Sequence, residues 1–224
     1  MTIELLPATD RNTWLLQRKQ FITASDVPAL LGESRWRTRA DVIAEKMGAP
    51  SSFNDNLRMY FGRIGEAHVL QALHELTGID VQPNSKLMVN SDVIGLAATP
   101  DAFADMAFAA PEVGLAPLET IFPSSYTSFI EHQRRGSRAV VDVKVIASKG
   151  RSKWKGSAPP EEYFGQLQAQ MLVAGLSVGL LVAKVDAHEM YGFVIEADSF
   201  YQGLIMTEVE SAWNEIRGLT ASDL

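Results

Sequence analysis

The sequence predicts an α/β domain with a mixed central sheet flanked by helices. The stretch Ala139-Val-Val-Asp-Val-Lys-Val145 is apolar and β-branched, and it reads as a buried strand. Segments of helical and strand character alternate in the order helix, three strands, helix, strand, a pattern that a sheet covered by helices satisfies. The chain then closes on the apolar run Val178–Val185, a partner run Met190–Ile195 and an amphipathic helix. At 224 residues it is long enough to bury a substantial core, and one domain over 1–224 is expected.

Taken in order, Thr13–Lys19 is a short helical stretch. Ser25 is placed to cap a helix over Asp26–Leu31, with Pro28 in its first turn and Gly32 at its end. Thr38 caps a second helix reaching Met47, and Ala49–Asn54 is a Pro/Ser/Asn loop. A long helix is expected from Asn56 to Thr77, stopped by Gly78, with Leu57, Phe61, Ile64, Leu70, Leu73 and Leu76 as its apolar stripe. Gly62 and Gly65 inside it point to close approach by a neighbour. Strands are expected at Lys86–Asn90, Ile94–Ala98 and Ala139–Ile146. The irregular segment Ala107–Arg138, carrying Pro111, Pro117 and Pro123, reads as an insertion at about 105–138 with a short helix at Tyr126–Arg134. Lys149–Pro160 reads as an exposed loop, Glu161–Leu176 as a helix, and Asp198 as the cap of a helix from Phe200 to Arg217.

The chain has no cysteine, which excludes disulfides and cysteine-based zinc or thiol chemistry. No run approaches membrane-spanning length and no signal pattern opens the sequence, so a cytoplasmic protein is expected, in the bacterial host cytoplasm if a phage encodes it. The net charge of −7 argues against nucleic acid, but its distribution does not. Between Gln133 and Gly156 stand Arg134, Arg135, Arg138, Lys144, Lys149, Arg151, Lys153 and Lys155, with Asp142 the only acid. Such a stripe on an acidic body suits an enzyme that grips a polyanion at one place, and equally a solvated basic loop.

Asp142 and Lys144 alternate with Val143 on the predicted strand, so both point to one face. A buried charge needs a partner. Asp101 follows the rigid Thr99-Pro100 corner, 41 residues before Asp142. Two carboxylates that meet can hold a hard cation through oxygen, with a lysine beside the attacking water, as phosphodiester hydrolysis requires. Alone, each is equally a turn acid or an ion-pair partner. Glu66 on the long helix is either a site residue or a solvated acid. Gln166 and Gln170, four apart, share a helix face and could hold water or DNA. Arg18, Thr23 and Ser25 gather at a helix start, which would make an anion site. The four histidines show no zinc spacing.

These segments, in this order, resemble the phage lambda-type exonuclease family, the YqaJ-like viral recombinases of the PD-(D/E)xK nucleases. Phe21-Ile-Thr-Ala-Ser-Asp26 after Arg18 is similar to the family's Ile-Thr-Ala-Ser-Glu segment, and Phe61-Gly-Arg-Ile-Gly-Glu66 to its aromatic-Gly-x-x-x-Glu helix. Thr99-Pro-Asp101 is similar to its Ser-Pro-Asp, Val141-Asp-Val-Lys144 to its Leu-Glu-Leu-Lys, and Tyr163-Phe-Gly-Gln-Leu-Gln168 to its Tyr-x-x-Gln-Val-Gln. The resemblance implies a restriction-endonuclease-like fold. It implies Mg²⁺, replaceable by Mn²⁺, on Asp101, Asp142 and the Val143 carbonyl, with Lys144, Glu66 and Gln166 completing the catalytic site. Arg18, Thr23, Ser25 and Thr99 would meet a 5′-terminal phosphate, and Lys149, Arg151, Lys153 and Lys155 the DNA. The implied activity is 5′ to 3′ digestion of one strand of linear duplex, leaving 3′ overhangs for recombination. A ring-shaped homotrimer and a single-strand annealing protein as partner are implied with it. Asp142 stands where the family more often has Glu, and the family's second phosphate-binding Arg has no exact equivalent, Arg151 being nearest. An endonuclease or opposite-polarity nuclease of the same fold, an inactive DNA-binding relative and an acidic interaction domain are the alternatives.

Overall fold

The structure is a computed structural model that describes residues 2–7, 10–50, 56–107, 118–186 and 188–218. Most of the loop expected at Ala49–Asn54, and Pro111 and Pro117 of the expected insertion, lie outside these residues. In chain order the elements are β1 (Ile3–Leu6), α1 (Arg11–Lys19), β2 (Ile22–Thr23), α2 (Val27–Leu30), α3 (Arg39–Lys46), α4 (Leu57–Thr77), β3 (Asp80–Pro83), β4 (Leu87–Asn90), β5 (Val93–Ala98), β6 (Ala102–Asp105), α5 (Leu118–Ile121), α6 (Tyr126–Arg135), β7 (Arg138–Ile146), a 3-10 helix (Ser148–Trp154), α7 (Glu161–Ala174), β8 (Val178–Val185), β9 (Glu189–Glu196) and α8 (Ser199–Ile216).

The mixed α/β class is as expected, but the strands divide between two sheets. One has the order β1-β4-β5-β2, the other β3-β6-β7-β8-β9. The chain passes from β3 in the second sheet to β4 in the first, and it returns at Thr99-Pro100-Asp101, where it leaves β5 and enters β6. Proline cannot donate to a ladder, which suits a corner between sheets. Asn84 staples this corner: its amide donates to the Pro100 carbonyl at 2.9 Å, and its backbone N–H to the Asp101 carbonyl at 2.9 Å.

β7 and β8 run parallel, with Asp142 opposite Leu181 and Lys144 opposite Ala183. α7 makes the crossover between them and also touches β4 and β5, so it ties the two sheets together. The alternation along β7 sorts its side chains between two cores. Ala139, Val141 and Val143 face the core built with α4, α5 and α6, whereas Val140 faces the core of α2, α7 and α8. Both faces of β7 are covered, which explains its nearly continuous apolar run.

Several local signals produce their elements. Thr38 caps α3 in a capping box with Asp41, Asn56 caps α4, and Asp198 caps α8. Gly78 ends α4 with a φ of 72°, a left-handed backbone that glycine adopts without strain. Other expectations fail. Ser25 caps nothing: α2 starts later, after Asp26, and spans four residues. The stripe on α4 is buried only at Leu70 and Leu73, while Leu57, Phe61 and Ile64 are exposed, because the first turns of the helix project past the sheet. Gly65 marks where contact begins; a β-carbon there would lie 2.9 Å from a Val145 methyl, whereas one at Gly62 would meet open space. The loop expected at Lys149–Pro160 is partly the 3-10 helix, anchored by Trp154, which is 1% exposed and packs on Tyr163 and Phe193.

Candidate active site

Asp142 sits mid-strand on β7 and is 1% exposed, facing α7. Two amides one helical turn apart on α7 reach it. Gln166 Nε2 donates to Asp142 Oδ1 at 2.7 Å and Gln170 Nε2 to the same oxygen at 3.0 Å. Oδ2 lies 2.6 Å from Lys144 Nζ in a charge-assisted ion pair. Lys144 also donates to Gln166 Oε1 at 3.3 Å and sits 5.0 Å from the centre of the Tyr163 ring. The alternation on β7 thus puts Asp142 and Lys144 side by side, as their spacing predicts.

Asp101 arrives from the corner. Its backbone N–H donates to the Val141 carbonyl at 3.0 Å, and its Oδ2 accepts from the Val143 N–H at 2.7 Å. β6 begins one residue later and pairs with β7 only up to Val141, so Asp101 takes the next place along the strand. The N–H and C=O of one strand residue point to the same side, so the Val143 carbonyl faces Asp101 as well. The chain loops out after β6 and returns as β7, and the antiparallel pairing of these two strands sets Asp101 beside β7. β6 is not among the expected strands, because Ala-Phe-Ala-Asp carries little strand signal.

The electrostatics of the pair are unsettled. Burial, then the nearby Asp142, push the Asp101 carboxyl up to about 8, against the opposing pull of Lys144 and the Val143 N–H. Burial also raises Glu66, which Lys144 offsets and Asp142 reinforces. Burial works against the Lys144 ammonium, but Asp142 and then Asp101 hold it above the usual lysine range. Lys144 is therefore a fixed positive charge at neutral pH, suited to stabilising developing negative charge rather than to accepting a proton.

These groups line a cleft of ≈ 670 Å³ that also contains Arg18, Thr23, Ser25, Glu66, Thr99, Val143, Gln166 and Gln170. The polar wall at its other end rests on β2, whose Thr23 pairs with Ala97 of β5, the strand that leads into the Asp101 corner. Arg18 Nη2 donates to Ser25 Oγ at 2.8 Å and to Thr23 Oγ1 at 3.2 Å. The Thr23 hydroxyl donates to Asp26 Oδ2 at 2.8 Å, so its proton is committed and its oxygen serves Arg18. Thr99 Oγ1 is buried without a hydrogen-bond partner. The expected helix start does not supply donors here; the groups on this wall that could meet an anion are Arg18 and the Ser25 hydroxyl.

Of the basic stripe, Lys144 lines the cleft and the run from Lys149 onward does not. Lys149, Arg151, Lys153 and Lys155 are exposed outside it. Arg151 ion-pairs with Glu189 of β9, and Lys153 pairs with Glu162 at 2.8 Å, tying the 3-10 helix to the first turn of α7. Conversely, Arg63 lines the cleft and was not singled out in the sequence. Its place three residues before Glu66 on one helix face was the available signal.

Among the described residues, no three His, Cys, Asp or Glu side chains gather into a ready metal cage. The oxygens present fit a different kind of site. Asp101, Asp142 and the Val143 carbonyl are hard donors, Asp142 Oδ2 meets Lys144, and Asp142 opposes the ionisation of Asp101. One divalent cation would offset that opposition, and Mg²⁺ is commonly held by one or two carboxylates with waters and substrate phosphate completing its shell.

Solved structures share this fold. An alkaline exonuclease (LHK-Exo) from Laribacter hongkongensis superposes with a TM-score of 0.67 at 20% identity, over 92% of this chain and 93% of that one. A phage-related exonuclease from Haemophilus somnus 129PT does so with a TM-score of 0.58 at 10% identity, over 88% and 94%. Uncharacterized protein YqaJ of Bacillus subtilis (strain 168) is 21% identical over 166 residues, covering 74% of this chain; the chain spans 43% of that relative's length. Residues 13–177 match the family model of the YqaJ-like viral recombinase domain. That span takes in Arg18, Glu66, Asp101, Asp142, Lys144 and Gln166, and by it the chain belongs to the YqaJ-like viral recombinase family.

Proposed function

We propose that this protein is a Mg²⁺-dependent DNA exonuclease that digests one strand of linear duplex from its 5′ end, with Mn²⁺ able to replace Mg²⁺. The observation that carries the reading is the meeting of Asp101, Asp142 and Lys144 in a cleft whose other wall presents Arg18 and Ser25. Family membership and the exonuclease-like fold support it. The cation, held by Asp101, Asp142 and the Val143 carbonyl, would polarise the scissile phosphate and make a water more acidic. The chain's own groups do the rest. Gln166 bridges Asp142 and Lys144, locking both side chains. Lys144 offers its ammonium to charge that develops on the phosphate oxygens. Glu66, raised by burial, holds a proton more readily than an ordinary carboxylate and stands beside Lys144. Arg18 and Ser25 receive a terminal phosphate. A homotrimer and an annealing partner belong to the same proposal.

Digestion of linear against covalently closed circular duplex with Mg²⁺ tests it. Linear DNA is expected to lose nucleotides from a 5′-labelled strand while circles stay intact. Cutting of circles would mean an endonuclease, release from the 3′ end would reverse the polarity, and binding without cutting would leave a DNA-binding relative. Arg18→Ala sharpens the end-recognition part. Losing one charge-assisted contact costs about 1.5–3 kcal/mol, roughly 10- to 150-fold. Digestion of 5′-phosphorylated ends should fall by that factor and digestion of 5′-hydroxyl ends much less. An equal loss on both ends would make Arg18 a general backbone contact.

A further inference from the structure

Gln170 is 1% exposed, lines the cleft and plays no part in the chemistry described so far. Its orientation follows from chemistry. An ionised carboxylate only accepts hydrogen bonds, so the amide NH₂ of both Gln166 and Gln170 must face Asp142 Oδ1, at 2.7 and 3.0 Å. The two glutamines then differ in their other atom. Gln166 Oε1 accepts from Lys144 at 3.3 Å, whereas Gln170 Oε1 is buried with no donor among the described residues. A buried carbonyl left without a donor is unfavourable, and such groups gather where a ligand or water completes them. On the carboxylate itself, Oδ1 holds both amides, while Oδ2 has only the lysine ion pair. An aspartate has two rotatable side-chain bonds, so a double clamp on one oxygen dictates where the other points.

We propose that Gln170 is a positioning residue of the cation site. Its NH₂ group, acting with that of Gln166, holds Oδ1 and so fixes the orientation of the Asp142 carboxylate that would hold the cation. Its free carbonyl oxygen accepts a hydrogen bond from a water that enters with the hydrated cation. The inference rests on the metal-dependent reading above and names the residue that sets its affinity. Outer-sphere partners of this kind commonly govern metal affinity by 10- to 100-fold.

The test is titration of the DNA-free protein with Mn²⁺ by calorimetry, comparing wild type with Gln170→Met, which keeps the size and loses the amide. Gln170→Asn, whose amide is one methylene too short to reach Asp142, carries the test if the methionine variant does not fold. The Kd for Mn²⁺ is expected to rise about 10- to 100-fold. Cleavage should recover in part at high Mn²⁺, and the preference for 5′-phosphorylated over 5′-hydroxyl ends should not change. A Kd within twofold of wild type in a folded variant overturns the role of Gln170, even if its thermal stability drops, and leaves the metal site standing. A wild-type protein that binds no Mn²⁺ overturns both.

Discussion

Asp26 and Asp142 are both almost inaccessible to water, at 2% and 1% exposure, yet their surroundings are opposites. Asp26 is saturated. Its Oδ1 accepts from Arg37 at 2.7 Å, and its Oδ2 accepts from the Thr23 N–H at 2.9 Å and the Thr23 hydroxyl at 2.8 Å, with Lys46 at 3.1 Å. Burial alone would raise its carboxyl, but Lys46 and then Arg37 hold it below the ordinary value. Asp142 shares one lysine with a second carboxylate, Asp101, and that neighbour is driven up to about 8 by burial and by Asp142. Arg37 and Lys46 both serve Asp26 in the first cluster, with Glu45 as a second acid on Arg37, whereas one lysine serves two carboxylates in the second. A cluster that satisfies its own charge holds α1, α2 and α3 together. A cluster with one lysine between two carboxylates is the arrangement that the proposed cation would complete.

The comparison can be broken most sharply at the carboxylates. Asp101→Asn and Asp142→Asn should each abolish cleavage while the protein keeps its fold, because the amide is a poor metal ligand but matches the carboxylate in size and shape. Near-normal turnover by either purified variant would remove the site. At the other cluster the consequence reverses. Asp26→Ala leaves Lys46 buried without its acid and Arg37 with Glu45 alone, and breaking such a buried pair typically costs about 3–5 kcal/mol of stability. Chemical denaturation should show that loss; a change under about 1 kcal/mol would show that water replaces the carboxylate.

Lys144→Ala should slow cleavage by ~10²–10³ without unfolding the protein, the usual scale for one electrostatic stabiliser. A loss below about threefold would reduce Lys144 to an ion-pair partner. The smallest expected effect is in the pH dependence of stability without metal, where the two clusters carry opposite signs. The folded protein holds the Asp101 proton more tightly than the unfolded chain does, so its contribution is full below the ordinary carboxylate range and is lost as pH rises through about 8. Asp26 is held lower when folded, so its contribution is present above that range and lost as pH falls. Denaturation midpoints measured from pH 4 to 9 should therefore decline towards the alkaline end, and Asp101→Asn should flatten that decline. A decline that persists in the variant would place its source elsewhere.

The sequence by itself determined the elements whose signals are local. β7 follows from a β-branched run, α3 and α8 from their caps, and the pairing of Asp142 with Lys144 from the period of a strand. The ordered motifs carried the family and the fold class, because five short patterns in register are specific where each alone is not. Tertiary structure decided what depends on partners far along the chain. Asp101 meets β7 because β6, four residues with little strand propensity, is recruited by pairing rather than by its own sequence. Ser25 gives up its capping role because Asp26, which faces Lys46 and Arg37, starts the short α2 instead. The basic stripe reads as a nucleic-acid contact, yet Arg151 and Lys153 are paired with Glu189 and Glu162, acids from other elements. Half of the apolar stripe of α4 lies exposed, because hydrophobic periodicity reports which side chains share a helix face and not how far the neighbouring sheet extends. A residue type announces that a charge or an apolar group needs company; only the folded chain supplies it.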